Sequence, residues 1–346
     1  KPLGVVKGEM GLQLGPLLET RKIKLEELSG QSVAIDGYNV LYQFLTSIRQ
    51  ADGTLLTDSK GRVTSHLSGI LFRFSNLIEN GLKLCLVFDG KPPALKMDVL
   101  EVRRQRKLKA QVEWEAAIEA GDMETARTKA QQTTRLDATM IQESKELLDL
   151  LGIPWVQAPS EGEAQVAHLL STGKVDYGAS QDFDTVLFGA SKLVRNLTLS
   201  GRRKLPKQQK WVEVTPEIIE VEKSFEILNL NREQLVDVAI LMGTDFNHGI
   251  DGIGPKKGLK LLQECGNAEK ALDKIGKSIE NLDEIRSLFL NHPVENFIPE
   301  WKSPDVKSTI SFLCENFSFN RPRVEKALDK YVQEKSVARQ LTLGDF

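Results

Sequence analysis

The sequence predicts an α/β fold, a mostly parallel central sheet flanked by helices. Two short apolar runs, Ser32-Val33-Ala34-Ile35 and Leu84-Cys85-Leu86-Val87-Phe88, are each followed by Asp-Gly, the pattern of buried strands that end in turns. Segments 153–157, 177–180 and 193–197 read as further strands, with helical patterns at 140–151 and 162–170 between them. Strands alternating with helices imply parallel pairing. Ligands of such sheets sit beyond the carboxyl ends of the strands, where Asp36 and Asp89 fall.

Residues 99–135 interrupt this alternation with a long, highly charged, helix-favouring stretch of little apolar periodicity. A solvated helical hairpin accounts for it on charge alone. From Arg232 the chain reads as helical through Leu313, and again over 321–334. Without an internal repeat or a low-complexity linker, one continuous domain with a short C-terminal tail is expected.

The 346 residues, 40% hydrophobic and 27% charged, have the composition of a soluble globular protein. No apolar run approaches the roughly 18 residues of a membrane span, and the first residues lack the pattern of a signal peptide. A cytoplasmic monomer with no membrane partner is expected. Cys85, Cys265 and Cys314 are too scattered to suggest a disulfide framework or a zinc cluster. The net charge of −2 argues against nucleic acid until its distribution is considered. Residues 91–109 carry seven Lys/Arg against two acids, and 202–210 carry five against none. Basic surfaces beside an acidic centre are compatible with global neutrality.

The chemically informative feature is a set of seven acids in strand-end or loop contexts: Asp36, Asp89, Glu161, Glu163, Asp182, Asp184 and Asp245. Each has a structural explanation as a turn former or helix flank, and Ser160-Glu161-Gly162-Glu163 fits a capping box. Together they say more, because five of them occupy strand ends or adjoining turns on one edge of the expected sheet. Carboxylates crowded there repel one another unless cations neutralise them, so the set implies bound metal. All-oxygen donors suit Mg²⁺, with Mn²⁺ able to substitute, better than zinc. Two ions about 3.5–4 Å apart would activate a water and steady the leaving oxygen.

The ordered blocks Met10-Gly11-Leu12-Gln13-Leu14-Gly15, Val33-Ala34-Ile35-Asp36, Val87-Phe88-Asp89-Gly90-Lys91-Pro92-Pro93, Ala158-Pro159-Ser160-Glu161-Gly162-Glu163-Ala164-Gln165 and Ser180-Gln181-Asp182-Phe183-Asp184 resemble those of the flap endonucleases, the archaeal and eukaryotic 5′-nuclease family. The resemblance covers nearly the whole chain. The wording around Leu193-Val194-Arg195-Asn196-Leu197 and Arg203-Lys204-Leu205-Pro206 resembles archaeal members more than eukaryotic ones, for which the location would be nuclear. Each of the family's seven metal-site carboxylates has a match here. The resemblance implies a single nuclease domain over 10–335, with a helical arch at 91–135, a helix-two-turn-helix region at 232–265, and a tail at 336–346. It also implies cleavage of branched, 5′ flap DNA, with exonuclease activity from the 5′ end, in replication and repair.

Lys96 and Arg103 match the family's catalytic basic pair on the arch, where cations would stabilise charge developing on the attacked phosphate. The alternative for both is a solvated helix face. Tyr42 matches an aromatic on which a terminal unpaired base stacks, with core packing as the competing explanation. Arg49 and Arg73 match DNA-contacting positions. The turn Gly252-Ile253-Gly254-Pro255-Lys256-Lys257 suits phosphate binding, because Gly252 and Gly254 permit close approach, Pro255 suits the first helical position, and helix N-terminal amides bind anions beside Lys256 and Lys257. A plain helical-hairpin turn also explains the glycines. The resemblance adds a potassium ion held by that turn's carbonyls. The tail Gln340-Leu341-Thr342-Leu343-Gly344-Asp345-Phe346 resembles a sliding-clamp-binding peptide through Gln340, Leu343 and Phe346, although it lacks the usual second aromatic. Residues 1–9 precede the family's starting Met-Gly and are expected to be an added segment or an alternative start.

Two other readings compete. Asp182-Phe183-Asp184-Thr185-Val186 resembles the D-x-D-x-[TV] motif of haloacid-dehalogenase-like phosphatases, but that motif belongs after the first strand of its domain. A catalytically silent scaffold for branched DNA and the clamp is the second, and the complete carboxylate set argues against it.

Overall fold

The computed structural model describes residues 14–341 apart from 51–52, 123–124, 126–127, 131–132, 200–201 and 205–210, and for 98, 202–204, 211–213 and 333–341 it describes the backbone alone. Among the described residues nine strands are β1 (Thr20–Lys22), β2 (Ser32–Asp36), β3 (Lys83–Phe88), β4 (Trp155–Gln157), β5 (Tyr177–Ala179), β6 (Lys192–Arg195), β7 (Arg202–Lys204), β8 (Trp211–Glu213) and β9 (Glu217–Glu220). Seven form one sheet in the order β1-β9-β6-β5-β2-β3-β4, while β7 and β8 pair separately. The five strands read from the sequence are the parallel ones, with β3 and β5 flanking β2, β4 beyond β3, and β6 beyond β5.

Those strands were legible because both their faces are covered, which makes them continuously apolar. Val33 and Ile35 of β2, with Leu84, Leu86 and Phe88 of β3, enter one core; Ala34, Cys85 and Val87 enter the other. Helices α1 (Gly37–Ser47), α2 (Ser65–Glu79), α3 (Met97–Glu119) and α4 (Ala138–Leu151) come next in the chain. The first core is closed by α1, α2 and α4, with Phe44 and Phe74 meeting edge to face at 5.7 Å. Then come α5 (Gly162–Ser171), α6 (Asp184–Leu187), α7 (Val221–Leu228), α8 (Arg232–Met242), α9 (Pro255–Cys265), α10 (Ala268–Ile275) and α11 (Leu282–Leu290), which supply the second core. The last two are α12 (Val306–Ile310), which runs into a π-helical turn at Ser311–Asn316, and α13 (Arg321–Leu341). Tyr331 of α13 donates its hydroxyl to the Ile70 and Leu71 carbonyls of α2.

The connection order places the ligand crevice. From β2 the chain moves outward through β3 and β4, then returns to the opposite side of β2 for β5 and β6. Neighbouring strands at that reversal send their following loops in opposite directions, opening a gap at their carboxyl ends. Asp36 ends β2, and Ser180 directly follows β5.

Two expectations need correction, and two strands of the sheet went unread. Residues 291–305 are not helical, because Pro293, Pro299 and Pro304 interrupt the α-helical pattern. That segment runs back to the sheet instead, with Trp301 Nε1 donating to the Leu84 carbonyl at 2.7 Å and Lys302 N to the Gly152 carbonyl at 2.9 Å. Ser160 does not cap α5; the cap position is Glu161, and the Ser160 hydroxyl donates to the Lys91 carbonyl. Strands β1 and β9 carry no long apolar run, and β1 is exposed throughout, so periodicity did not reveal them. Among the described residues no helix is long and apolar enough to cross a membrane.

Candidate active site

Asp36 turns the chain from β2 into α1. Its carboxylate accepts from the Asn39 amide at 3.0 Å, capping the helix, and from the Ser180 hydroxyl at 3.3 Å. A Cβ on Gly37 would stand 2.8 Å from the Val87 carbonyl oxygen, so glycine lets α1 start against β3. Asn39 Nδ2 donates to Asp182 at 2.9 Å, and the Asp182 amide donates to Ser180. Asn39 and Ser180 thus join the acid after β2 to the acid after β5.

Asp89 follows β3 and accepts the Gly162 amide at 2.7 Å. A Cβ on Gly162 would fall 2.5 Å from that same carboxylate oxygen, so the close approach of α5 requires glycine. Glu161 and Glu163 enter from the start of α5. Asp245 sits in the turn after α8, where Asn247 accepts from the Thr244 amide and hydroxyl and donates to the Ile240 carbonyl. Asp184 opens α6, and its Oδ1 is buried with no hydrogen-bond partner among the described residues.

Six of the seven acids line one cleft of about 550 Å³: Asp36, Asp89, Glu163, Asp182, Asp184 and Asp245. Glu161 stands behind it, ion-paired to Lys96, which with Arg103 also lines the cleft. Lys96 lies 3.4 Å from Asp245, and Arg103 pairs with Asp245 at 2.5 Å. The loop and helix after β3 therefore lay two cations across the acids of α5 and the α8 turn. Tyr42 lines the cleft rather than the core, with Lys107 Nζ 5.1 Å from its ring centre.

Burial and mutual repulsion raise the carboxyl groups that these cations do not pair. Burial, then the charge of Asp89, holds Asp36 well above its usual range. Burial, then Asp36 and Asp89, does the same to Glu163. Burial and Glu161 push Asp89 up to about 6; burial, Asp245 and Asp182 push Asp184 up to about 7. Asp182 is raised by burial and then by Asp245. For Lys96, burial alone would lower the ammonium pKa, but Glu161, Glu163 and Asp245 outweigh it and raise it.

Among the described residues no three acids converge closely enough to form a ready metal cage, and Lys96 and Arg103 engage two of the seven, Glu161 and Asp245. The donors nonetheless fit a hard divalent cation. They are all oxygens, most lack a paired cation, and a buried carboxylate oxygen without a partner is an unmet demand for one.

The other predicted residues lie elsewhere. Arg49 is half-buried, donating to the carbonyls of Gly53 and Ala130 and to the Thr134 hydroxyl. Arg73 lines a second groove with Phe72, Phe319 and Arg323. Gly252 has φ +78°, a conformation that favours glycine; Gly254 caps α9, Pro255 is its first residue, and Lys256 and Lys257 are exposed. Gln340 belongs to the backbone of α13, whereas Leu343 and Phe346 lie outside the described residues, as do residues 1–9 and the Met10–Gln13 part of the first block. Within the basic run 202–210, only the backbone of 202–204 is described.

Sequence reasoning missed Asn39, Ser180, Asn247 and His292. The first three stand within three residues of a predicted acid and were findable as its polar neighbours. His292 carried no local signal. Its Nε2 accepts the Glu161 amide at 3.2 Å across 131 residues.

The site is an acid-lined crevice at a sheet reversal, with Lys96 and Arg103 lying across its acids, and the comparisons give its class. The XPG N-terminal domain model matches residues 10–110 and the XPG I-region model matches 152–245. Flap endonuclease 1 of Archaeoglobus fulgidus is 47% identical over 333 residues, spanning 96% of this chain and 99% of that protein. That of Methanothrix thermoacetophila is 49% identical over 322 residues, spanning 93% and 95%. The solved flap endonuclease-1 from Methanococcus jannaschii superimposes with a TM-score of 0.74 at 39% identity, covering 95% of this chain and all of that one. The chain belongs to the flap endonuclease family of structure-specific nucleases.

Proposed function

We propose that this chain hydrolyses DNA phosphodiesters where a 5′ single strand leaves a duplex, with a 5′ exonuclease activity at the same site, in DNA replication and repair. The observation that carries the reading is the cleft, in which six carboxylates share one wall system with Lys96 and Arg103. Asp36, Asp89, Glu161, Glu163, Asp182, Asp184 and Asp245 would hold two Mg²⁺ ions, for which Mn²⁺ can substitute. Bound there, the ions would lower the pKa of water and offset charge on the leaving oxygen.

The chain's own residues supply the rest. Asp36, Asn39, Ser180 and Asp182 hold the two central strands' acids in fixed relation. Lys96 and Arg103, which pair with Glu161 and Asp245, are placed to exchange those acids for phosphoryl oxygens and stabilise developing charge. Tyr42 offers a stacking face at the cleft wall. The turn at 252–257 would hold the duplex backbone through its amides, Lys256 and Lys257, with the α13 tail reaching a sliding clamp through Gln340, Leu343 and Phe346. The phosphatase reading loses its support, because Asp182 follows β5 rather than the first strand of the sheet.

The test is end-labelled double-flap, pseudo-Y and blunt duplex DNA incubated with the chain, with and without Mg²⁺. Cutting near the junction of the flap substrate, dependent on Mg²⁺, is the expected result. Flap DNA left intact in both Mg²⁺ and Mn²⁺ would overturn it.

A further inference from the structure

We propose that His292 is a positioning residue for the reaction, fixing the Glu161 end of the Lys96 bridge through a hydrogen bond that only one imidazole tautomer makes. The proposal rests on reading the cleft as the cleavage site. His292 Nδ1 lies 2.8 Å from the Leu288 carbonyl oxygen. A carbonyl only accepts, so Nδ1 carries the hydrogen. Nε2 is then a bare acceptor, and the Glu161 amide donates to it at 3.2 Å. Both partners have fixed polarity, and together they select the neutral Nδ1–H form.

The bond sits where it controls geometry. The first amides of a helix have no acceptor within it. In α5 the Gly162 amide is taken by Asp89 and the Glu161 amide by His292, while the Glu161 carboxylate is committed to Lys96. One turn later Gln165 exchanges two hydrogen bonds with the main chain of Glu295, at 2.8 and 2.6 Å, so the segment after α11 is registered against α5 at two levels. The imidazole also meets Phe188 edge to face at 4.9 Å; Phe188 packs on Phe289, and Phe289 on Phe246. Phe246 adjoins Asp245 in the chain, and Asp245 is the other acid facing Lys96. His292 therefore links the supports of both acids that Lys96 bridges.

The chain has four histidines, and the ¹⁵N imidazole signals of His292 are identified by their loss in His292→Gln. A protonated Nδ1 and bare Nε2 are expected in the metal-free protein; a protonated Nε2 overturns the proposal. In single-turnover cleavage of double-flap DNA, His292→Leu fills the space without an acceptor and should lose about tenfold in rate, the scale of outer-shell substitutions. The DNA dissociation constant should stay within about twofold. His292→Gln, which offers an acceptor oxygen, should recover to within about threefold of wild type. Should His292→Leu fail to fold, His292→Phe replaces it, keeping a ring against Phe188. An undiminished rate without the acceptor, or equal loss with and without it, overturns the proposal alone. A wild-type chain inert on every DNA substrate would remove the underlying reading, and the proposal with it.

Discussion

Lys96 and Arg103 decide whether the inserted helix is catalytic or only a charged exterior. Lys96 is largely buried, and its ammonium stands among Glu161, Glu163 and Asp245, whose charges raise its pKa despite burial. A solvated helix face would not hold a lysine in that way. Cations already standing in the acid cleft are where negative charge would develop on an attacked phosphate. We predict that Lys96→Ala and Arg103→Ala each slow the single-turnover cleavage rate by about ten- to thousandfold, roughly 1.4–4 kcal/mol of transition-state stabilisation, with a much smaller change in DNA affinity. Saturated rates within about twofold of wild type for both would assign them to the exterior. Arg49 differs from both, because its guanidinium donates to Gly53, Ala130 and Thr134 and lies outside the lining of the acid cleft.

At the scale of elements, the turn before α9 carries the phosphate-binding claim. Gly252 requires its left-handed conformation, Gly254 ends the turn in an extended one, and Gly258 lets α9 pack on Val238 of α8, so the glycines are explained structurally. What packing leaves unexplained is the exposed Lys256-Lys257 pair at the first turn of the helix. Replacing both by alanine should weaken DNA binding and reduce the slope of log affinity against log salt by about one unit per lost phosphate contact. The cut position should stay the same. Gel or anisotropy titrations across salt concentrations measure this, and an unaltered slope would mean that the turn does not hold the backbone.

Over the whole molecule, the acid cleft couples stability to pH and metal. Asp89 is pushed up to about 6 and Asp184 to about 7, with Asp36, Glu163 and Asp182 also raised. A carboxyl whose pKa is higher folded than unfolded favours the folded state while protonated. That stability is present below the unfolded value, about 4, and is lost as pH rises through the folded value. Metal-free protein should therefore melt at a lower temperature at pH 8 than at pH 5, and Mg²⁺ should restore the difference at pH 8 by binding the folded state. Calorimetric melting in chelator and in Mg²⁺ tests the sign; a metal-free melting temperature that rises from pH 5 to 8 would contradict it.

The same scale shows what the sequence made legible. Buried parallel strands announce themselves as apolar runs, so β2 and β3 and the acids at their ends were visible. Strands β1 and β9 are short and lie at or near the sheet edge, and the path of 291–305 depends on hydrogen bonds to the carbonyls of Leu84, Leu150 and Gly152 that no local pattern encodes. The seven acids were visible as residue types. That Lys96 and Arg103 lie across them, that Arg49 reaches Ala130 and Thr134, and that His292 reaches Glu161 are products of long-range packing.

The central claim is that the carboxylate cleft performs the cleavage, and Asp184, with a buried oxygen that has no hydrogen-bond partner among the described residues, is its most exacting point. The most direct measurement compares Asp184→Ala with wild type on one double-flap DNA in Mg²⁺, following single-turnover cleavage and DNA affinity in the same enzyme titration. Cleavage should fall by about a thousandfold or more, because a metal carboxylate is removed, while the dissociation constant stays within about threefold, because phosphate contacts made elsewhere persist. Near-wild-type turnover by Asp184→Ala would contradict the assignment of this cleft as the catalytic centre.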